Sequence, residues 1–118
     1  MVTKKPSKQR KAVHQAKMHV LRKRLFARLS DGLSKDMKRR SLCIRKGDEV
    51  KVMRGDNKMM TGKVTAVDLR AGKVYVDSVK RKKVSGEEVQ IPLHASNLMI
   101  IKADMADKKR QRILTRVK

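Results

Sequence analysis

Aromatic side chains are almost absent from this sequence of 118 residues, in which Phe26 and Tyr75 are the two rings. A sheet that binds nucleic acid by stacking its bases needs several exposed rings. A nucleic-acid partner of this chain would therefore have to be bound through its phosphates, by cations and backbone amides. Tyr75 lies between Val74 and Val76 and is predicted to belong to the wall of a β-barrel.

Cysteine is nearly absent as well, because Cys43 is the one thiol. A single cysteine excludes an internal disulfide and leaves too few thiolates for a structural zinc site. The three histidines are far apart in sequence and have neither a neighbouring nucleophile nor the spacing of metal ligands. Adjacent carboxylates at 48–49 and 87–88 would point to opposite faces of a strand. We therefore predict no enzymatic activity, no metal, no cofactor and no small-molecule substrate.

The sequence has no long apolar run. Its basic N-terminal residues are not followed by the apolar segment of a secretory signal, and no stretch reaches the length of a transmembrane helix. Helices that lie on membranes need Trp, Phe or Leu along one face, and such residues are scarce in the basic segments. The sequence therefore predicts a cytoplasmic protein without membrane insertion.

Acidic residues are few, with 11 Asp and Glu against 33 Lys and Arg, and the net charge is +22. The positive charges on such a surface repel one another, and a bound polyanion usually offsets this repulsion. Nucleic acid is therefore the expected partner. Residues 1–40 carry 14 basic and 2 acidic groups, whereas residues 41–102 carry 13 and 7. We therefore predict a folded middle, 41–102, between basic extensions at 1–40 and 103–118.

Alternating valines indicate that this middle is rich in β-strands. Val50 and Val52 fall on one face of a strand, while Glu49, Lys51 and Met53 fall on the other. Similar patterns recur between turn-forming residues, so five or six short strands are expected to form a small antiparallel barrel. The predicted strands are 41–44, 49–53, 61–68, 73–77, 79–84, 87–91 and 98–101.

The flanking extensions are predicted to be partly helical. Ser7 is a candidate cap for a helix over about residues 8–17, and Ser30 for a short helix that ends among basic residues 38–40. Residues 18–29 are compatible with a helix or with extended chain. Residues 103–118 could form a short docked helix or a tail that its partner orders.

Cations surround the turn between the first two barrel strands. Gly55 and the residues after it are turn formers, and Gly62 within the following strand suggests a close backbone approach. The densest run of charge in the barrel lies at 80–83, where phosphate contact is at least as plausible as a solvated hairpin. The cations near the turn are Lys46, Arg54, Lys58 and Lys63.

This stretch resembles the KOW motif of ribosomal and transcription-elongation proteins. The matching residues are RKGDEVKV at 45–52, RGD at 54–56, Lys58 and GKV at 62–64. Three further segments narrow the resemblance: PSKQRK at 6–11, Leu29-Ser30 before a helix, and IPLHASN at 91–97. Together they are similar to the large-subunit ribosomal protein twenty-four family, in the archaeal and eukaryotic form that is called protein twenty-six in eukaryotes.

The resemblance implies an SH3-like barrel that binds the 5′ region of large-subunit rRNA and takes part in early assembly of the subunit. It also implies neighbouring large-subunit proteins as partners and a place near the exit of the polypeptide tunnel, where further factors could bind. Gly47, Gly55 and Gly62 would allow the tight backbone path of the motif. The family usually has glycine where this chain has Met59, so Met59 is strained if that position needs a positive φ.

Our first hypothesis is a structural, RNA-binding component of the large ribosomal subunit that catalyses no reaction. The alternatives are a KOW-type transcription elongation or antitermination factor, which contacts RNA polymerase or nascent RNA, and a chromatin-like DNA binder. The predicted RNA-binding cations are Lys8, Arg10, Lys11, Arg22, Lys23, Arg24, Arg45, Lys46, Arg54, Lys58, Lys63, Lys80, Arg81, Lys82 and Lys83.

Overall fold

The computed structural model describes residues 3–116, and these begin with a run of short helical elements. Helix α1 spans Pro6–Gln15 and helix α2 spans Met18–Leu21, and a single 3₁₀ turn follows at Arg22–Leu25. The predicted cap at Ser7 is wrong, because the helix already begins at Pro6. Proline suits a first helical position, where its fixed φ is favourable and its missing N–H is not needed.

Most of the remaining chain consists of short strands. The strands are β1 Phe26–Leu29, β2 Ser41–Cys43, β3 Glu49–Val52, β4 Thr61–Asp68, β5 Lys73–Val76, β6 Lys80–Lys82, β7 Glu88–Gln90, β8 Leu93–His94 and β9 Leu98–Lys102. Helix α3 spans Asp31–Asp36, a 3₁₀ turn spans Ala95–Asn97, and helix α4 spans Lys108–Thr115. The predicted mainly β class is confirmed. The two predicted extensions include residues 1–2 and 117–118, which lie outside the described residues.

Seven strands pair in the order β2-β1-β9-β3-β4-β5-β8. Strand β1 runs parallel to β9, with Arg28 opposite Met99, and the other neighbouring strands are antiparallel. One pair of neighbouring strands is therefore parallel, whereas the predicted barrel was antiparallel. Within residues 3–116, β2 and β8 are the two ends of this order, so the hydrogen bonding does not close into a ring.

Strands β6 and β7 form a separate hairpin instead of joining the larger sheet. Their prediction as barrel strands is wrong, because their side chains are almost all exposed and bury no face against the core. Val84 at the hairpin tip is fully exposed. The Ile91 N–H donates to the Val79 carbonyl and extends the hairpin by one step, and the buried Val79 side chain belongs to the core of the large sheet.

Alternating side chains of the large sheet fill one apolar core. Strand β3 buries Val50 and Val52, and strand β1 buries Ala27 and Leu29 in the same cluster. The segment before residue 40 therefore contributes directly to the core of the sheet. The other buried members are Leu25, Leu42, Ile44, Val64, Val74, Val76, Val79, Ala95, Leu98 and Ile100. No helix within residues 3–116 is long and apolar enough to cross a membrane.

Candidate nucleic-acid interface

A buried carboxylate organises the turn that precedes strand β3. Asp48 is fully buried, and its Oδ2 accepts a hydrogen bond of 2.9 Å from the Arg45 N–H across the turn. Gly47 adopts a φ of +96°, and a Cβ there would lie 3.2 Å from Asp104 Oδ2. The left-handed backbone therefore favours glycine here, and the Asp104 carboxylate would have to shift by a few tenths of an ångström to admit a side chain.

Arg110 of helix α4 neutralises this carboxylate. Its Nη1 lies 2.6 Å from Asp48 Oδ1 and its Nη2 lies 2.8 Å from Asp48 Oδ2, a bidentate pair in which both side chains are at most 2% exposed. The same guanidinium donates to the Asp104 and Cys43 carbonyls. Because the pair joins helix α4 to the turn before β3, the C-terminal segment is part of the support for the motif.

Arg45 and Lys46, on the outside of this turn, have different surroundings. Arg45 is half-buried and forms an ion pair with Asp107. Burial, followed by the nearby Arg22 and Arg110 guanidinium groups, lowers the pKa of Arg45 from its ordinary value. Lys46 is exposed and forms no ion pair within the described chain. Of the two predicted cations, Lys46 is therefore the one more readily available to a phosphate.

The loop between β3 and β4 contains the position where glycine was expected. Met59 has a φ of +73°, so this position does need the left-handed conformation and Met59 is strained in it. For a residue with a Cβ the strain costs about 1–2 kcal/mol. The Met59 N–H donates to the Val52 carbonyl at 2.8 Å, which fixes the loop in this conformation. The side chain itself is 57% exposed.

Replacing Met59 by glycine is expected to raise the free energy of unfolding by about 0.5–1 kcal/mol. The relief of left-handed strain exceeds the roughly 0.5–1 kcal/mol of added backbone entropy in the unfolded chain. Met60→Gly is the matched control, because Met60 does not have a positive φ and its replacement should destabilise. Urea unfolding of both variants measures the difference. Equal destabilisation by the two changes would show that the strain is absent.

The predicted close approach at Gly62 is present. A Cβ at this position would overlap Asp77 Oδ1 and Ser78 Oγ and would lie 2.7 Å from Val76 Cγ1. The next residue, Lys63, donates its backbone N–H to Asp77 Oδ1 at 2.9 Å, while its side chain remains at the surface. Gly62 therefore lets the start of β4 lie directly against the end of β5.

One groove brings together cations that are far apart in sequence. It lies between the loop at 54–57 and the base of the β6–β7 hairpin and has a volume of about 620 Å³. The cations that line it are Arg54, Lys73 and Arg81, next to His94, and Asp56 is the one acid there within residues 3–116. Arg54, Lys73 and Arg81 form no ion pairs within residues 3–116. We call this the loop–hairpin groove.

Two of the four hairpin cations are partly neutralised. Lys80 lies 3.3 Å from Glu88, and Lys83 lies 3.2 Å from Glu87. Such exposed pairs contribute little stability and exchange readily with other partners. Arg81 and Lys82 have no acidic partner within the described chain. The hairpin thus presents Arg81 to the loop–hairpin groove without competition from its own carboxylates.

A second groove lies between the N-terminal helices and the β4–β5 turn. Lys17, Arg24 and Arg70 line it together with His14. The Arg24 guanidinium packs close to Gly72, where a Cβ would lie 3.5 Å from Arg24 Cζ. We call this the arm groove. Its cations come from the N-terminal segment and from the β4–β5 turn, so an anion bound there could contact both.

The structure places the predicted cations in several groups. Arg54 and Arg81 meet in the loop–hairpin groove, and Arg24 lies in the arm groove. Lys17, Arg70 and Lys73 also line the grooves but were not among the predicted cations, although Arg70 and Lys73 lie at the turn between the predicted strands 61–68 and 73–77. Exposed, and not part of either groove, are Lys8, Arg10, Lys11, Arg22, Lys23, Lys46, Lys58, Lys63, Lys80, Lys82 and Lys83.

Known proteins resemble this chain over nearly its whole length. A family model that describes the eukaryotic ribosomal proteins L26 and the archaeal ribosomal proteins L24 matches residues 3–117. Large ribosomal subunit protein uL24 of Methanosarcina barkeri is 50% identical over 110 residues, which are 93% of this chain and 95% of the relative. Large ribosomal subunit protein uL24 of Methanothrix thermoacetophila is 45% identical over 116 residues, 98% of this chain and 100% of the relative.

Proposed function

The chain belongs to the family of the eukaryotic ribosomal proteins L26 and the archaeal ribosomal proteins L24, and from this we propose that it binds large-subunit rRNA through phosphate contacts. In this role it is a structural component of the large subunit in the cytoplasm and catalyses no reaction. Its partners are the 5′ region of the rRNA and neighbouring large-subunit proteins. Its binding supports early subunit assembly, near the exit of the polypeptide tunnel.

The observation that carries the proposal is the convergence of cations in the loop–hairpin groove. Arg54, Lys73 and Arg81 come from a loop, a strand and a separate hairpin, yet they line one groove and have no acidic partners within residues 3–116. Like charges that a fold brings together repel one another, and a bound anion offsets this repulsion. Phosphates of an RNA backbone meet this requirement at several adjacent points.

The arrangement of the cations also favours an RNA of complex shape over a single straight duplex. The arm groove is lined by the N-terminal helices and the β4–β5 turn, whereas the loop–hairpin groove is lined by the motif loop and the hairpin base. Helix α1 adds a third basic surface, because its side chains Lys8, Arg10 and Lys11 are all exposed. Such a protein can fix the relative positions of several RNA helices, which is the work of an assembly protein.

Co-sedimentation tests this function. A tagged copy of the chain in a cell lysate is separated on a sucrose gradient, and its distribution is compared with those of rRNA and RNA polymerase. We expect the tag to follow the large subunit and its precursors, and to leave these fractions after ribonuclease but not after deoxyribonuclease treatment. A tag that follows polymerase would support the elongation-factor alternative. Release by deoxyribonuclease alone would indicate a DNA binder.

A further inference from the structure

Strand β1 presents an aromatic ring to solvent. Along this strand Ala27 and Leu29 point into the core, so Phe26 and Arg28 point outward. Phe26 is 43% exposed, although it is the one phenylalanine of the chain and its burial would be favourable. The sequence predicted binding by cations alone, and this exposed ring is an exception to that prediction.

The ring lies in a groove whose other side chains are polar. The groove has a volume of about 530 Å³ and is lined by Phe26, Arg28, Arg40, Ser41 and Ser96, with the Ala27 backbone region between them. We call it the Phe26 groove. Volumes of this size are typical of sites for single small molecules or monomer units. Among residues 3–116, no carboxylate lines the groove.

Both arginines can engage an anion. Arg28 lies 3.6 Å from Asp31, but the two side chains are 77% and 89% exposed, so this pair contributes little and is readily exchanged. Arg40 is exposed and has no acidic partner within residues 3–116. Two guanidinium groups therefore line the same groove as the ring.

We propose that the Phe26 groove holds one unpaired nucleotide of the bound RNA. The base stacks on the ring of Phe26, and Arg28 and Arg40 bind the phosphates on either side of it. The Ser41 hydroxyl hydrogen-bonds the base edge or the ribose, and Ser96 Oγ, which lies 2.8 Å from His94 Nδ1, has hydrogen-bonding capacity left for a second partner there. This inference rests on the proposed rRNA binding and adds to it a site that binds one unstacked base.

The surroundings of the ring favour a nucleotide over an apolar protein surface. A protein partner that buried Phe26 would be expected to meet further apolar side chains, but the flanking residues are two arginines and two serines. Burying these guanidinium groups against an apolar partner would leave their charges unpaired, which is costly. A nucleotide within an RNA chain supplies a π-face and lies between two phosphates.

Three variants at this site separate stacking from apolar packing and from loss of fold. Phe26→Leu keeps an apolar side chain but removes the ring, and Phe26→Tyr keeps the ring. Val20→Ala is the matched control, because Val20 is similarly exposed, at 45%, and does not line the groove. Thermal unfolding first confirms that each variant is folded. Affinity for a transcript of the 5′ region of large-subunit rRNA is then measured, together with chemical reactivity of its bases.

We expect Phe26→Leu to weaken binding about tenfold, as for the loss of one base–aromatic stack. Phe26→Tyr and Val20→Ala should bind like the original chain. At least one unpaired base should be protected by the original chain and by Phe26→Tyr, and exposed with Phe26→Leu. Equal affinity and equal base protection for Phe26→Leu would overturn this site while leaving rRNA binding intact.

Two other results would also overturn the site. If Phe26→Leu keeps its RNA affinity and base protection but no longer joins a neighbouring protein in reconstituted subunits, the ring serves a protein contact. If the original chain fails to bind the transcript at all, the proposed rRNA binding itself fails together with this site. The first result concerns Phe26 alone, so the two failures are distinguishable.

Discussion

Replacing Arg110 by alanine is expected to lower the free energy of unfolding by about 3–5 kcal/mol, a large part of the stability of a small protein. The change leaves the Asp48 carboxylate buried without its bidentate partner. It also removes the donors to the Asp104 and Cys43 carbonyls, which hold helix α4 on the sheet. A buried charge without a partner is far more costly than a weakened surface pair.

Urea unfolding followed by circular dichroism measures this effect as a shift of the midpoint. Arg112→Ala is the matched control, because Arg112 lies on the same helix and is exposed. That variant should stay within about 0.5 kcal/mol of the original chain. If Arg110→Ala were as mild as the control, helix α4 would not support the turn before β3.

Replacing both members of the pair by apolar residues is not expected to restore the stability. In some proteins such a double replacement is neutral or stabilising. Here Asp48 also accepts hydrogen bonds from the backbone N–H groups of Arg45 and Asp104, at 2.9 Å each. An apolar residue at this position would leave both half-buried donors without these partners. Asp48 is therefore required by the backbone as well as by Arg110.

Local patterns predicted the parts of the fold that depend on neighbouring residues. The alternation in β3, with Val50 and Val52 inward, is present, as is the close approach at Gly62. These two features depend on a few adjacent residues and on elementary backbone sterics. The strain at Met59 was anticipated from the family resemblance instead, because the related motif usually has glycine at that position.

Contacts between distant residues could not be predicted in this way. Arg110 and Asp48 are 62 residues apart, and nothing near Arg110 distinguishes it from the other cations of its helix. The parallel pairing of β1 with β9 likewise joins segments whose local patterns fit several pairings. The exposure of Phe26 follows from that pairing, since the pairing decides which face of β1 meets the core.

The division of the chain into a folded middle and two extensions, at residues 40 and 102, stays a prediction.

The candidate interface was predicted residue by residue, but its grooves were not. Charge counts identified Arg54 and Arg81 as cations of the motif loop and the hairpin. That they share one groove with Lys73 depends on where the hairpin base is anchored, which no local pattern specifies. The individual RNA contacts of all these residues stay proposals.

Removing Arg54 and Arg81 together should weaken binding to large-subunit rRNA about a hundredfold. Hydrogen bonds to charged groups are worth about 1.5–3 kcal/mol each, which is roughly tenfold or more in Kd for each contact. The two arginines line one groove without acidic partners within residues 3–116, so their phosphate contacts are lost without compensation. Both side chains are exposed, and the fold should be unaffected.

The matched control is the double variant Lys35→Ala with Lys109→Ala, since neither lysine forms an ion pair within residues 3–116. It removes the same net charge from exposed positions that line neither groove. A decrease in affinity that came from net charge alone would be equal in the two double variants. A decrease that came from the groove would be confined to Arg54→Ala with Arg81→Ala.

The most direct test of phosphate binding by the groove is the salt dependence of rRNA affinity for these three proteins. The logarithm of the binding constant is plotted against the logarithm of the salt concentration. Each lost phosphate contact lowers the magnitude of the slope by about 0.7–0.9. We predict a slope shallower by about 1.5 for the double arginine variant and nearly unchanged for the double lysine control. Equal slopes for the two double variants would contradict phosphate binding by the arginines of the loop–hairpin groove.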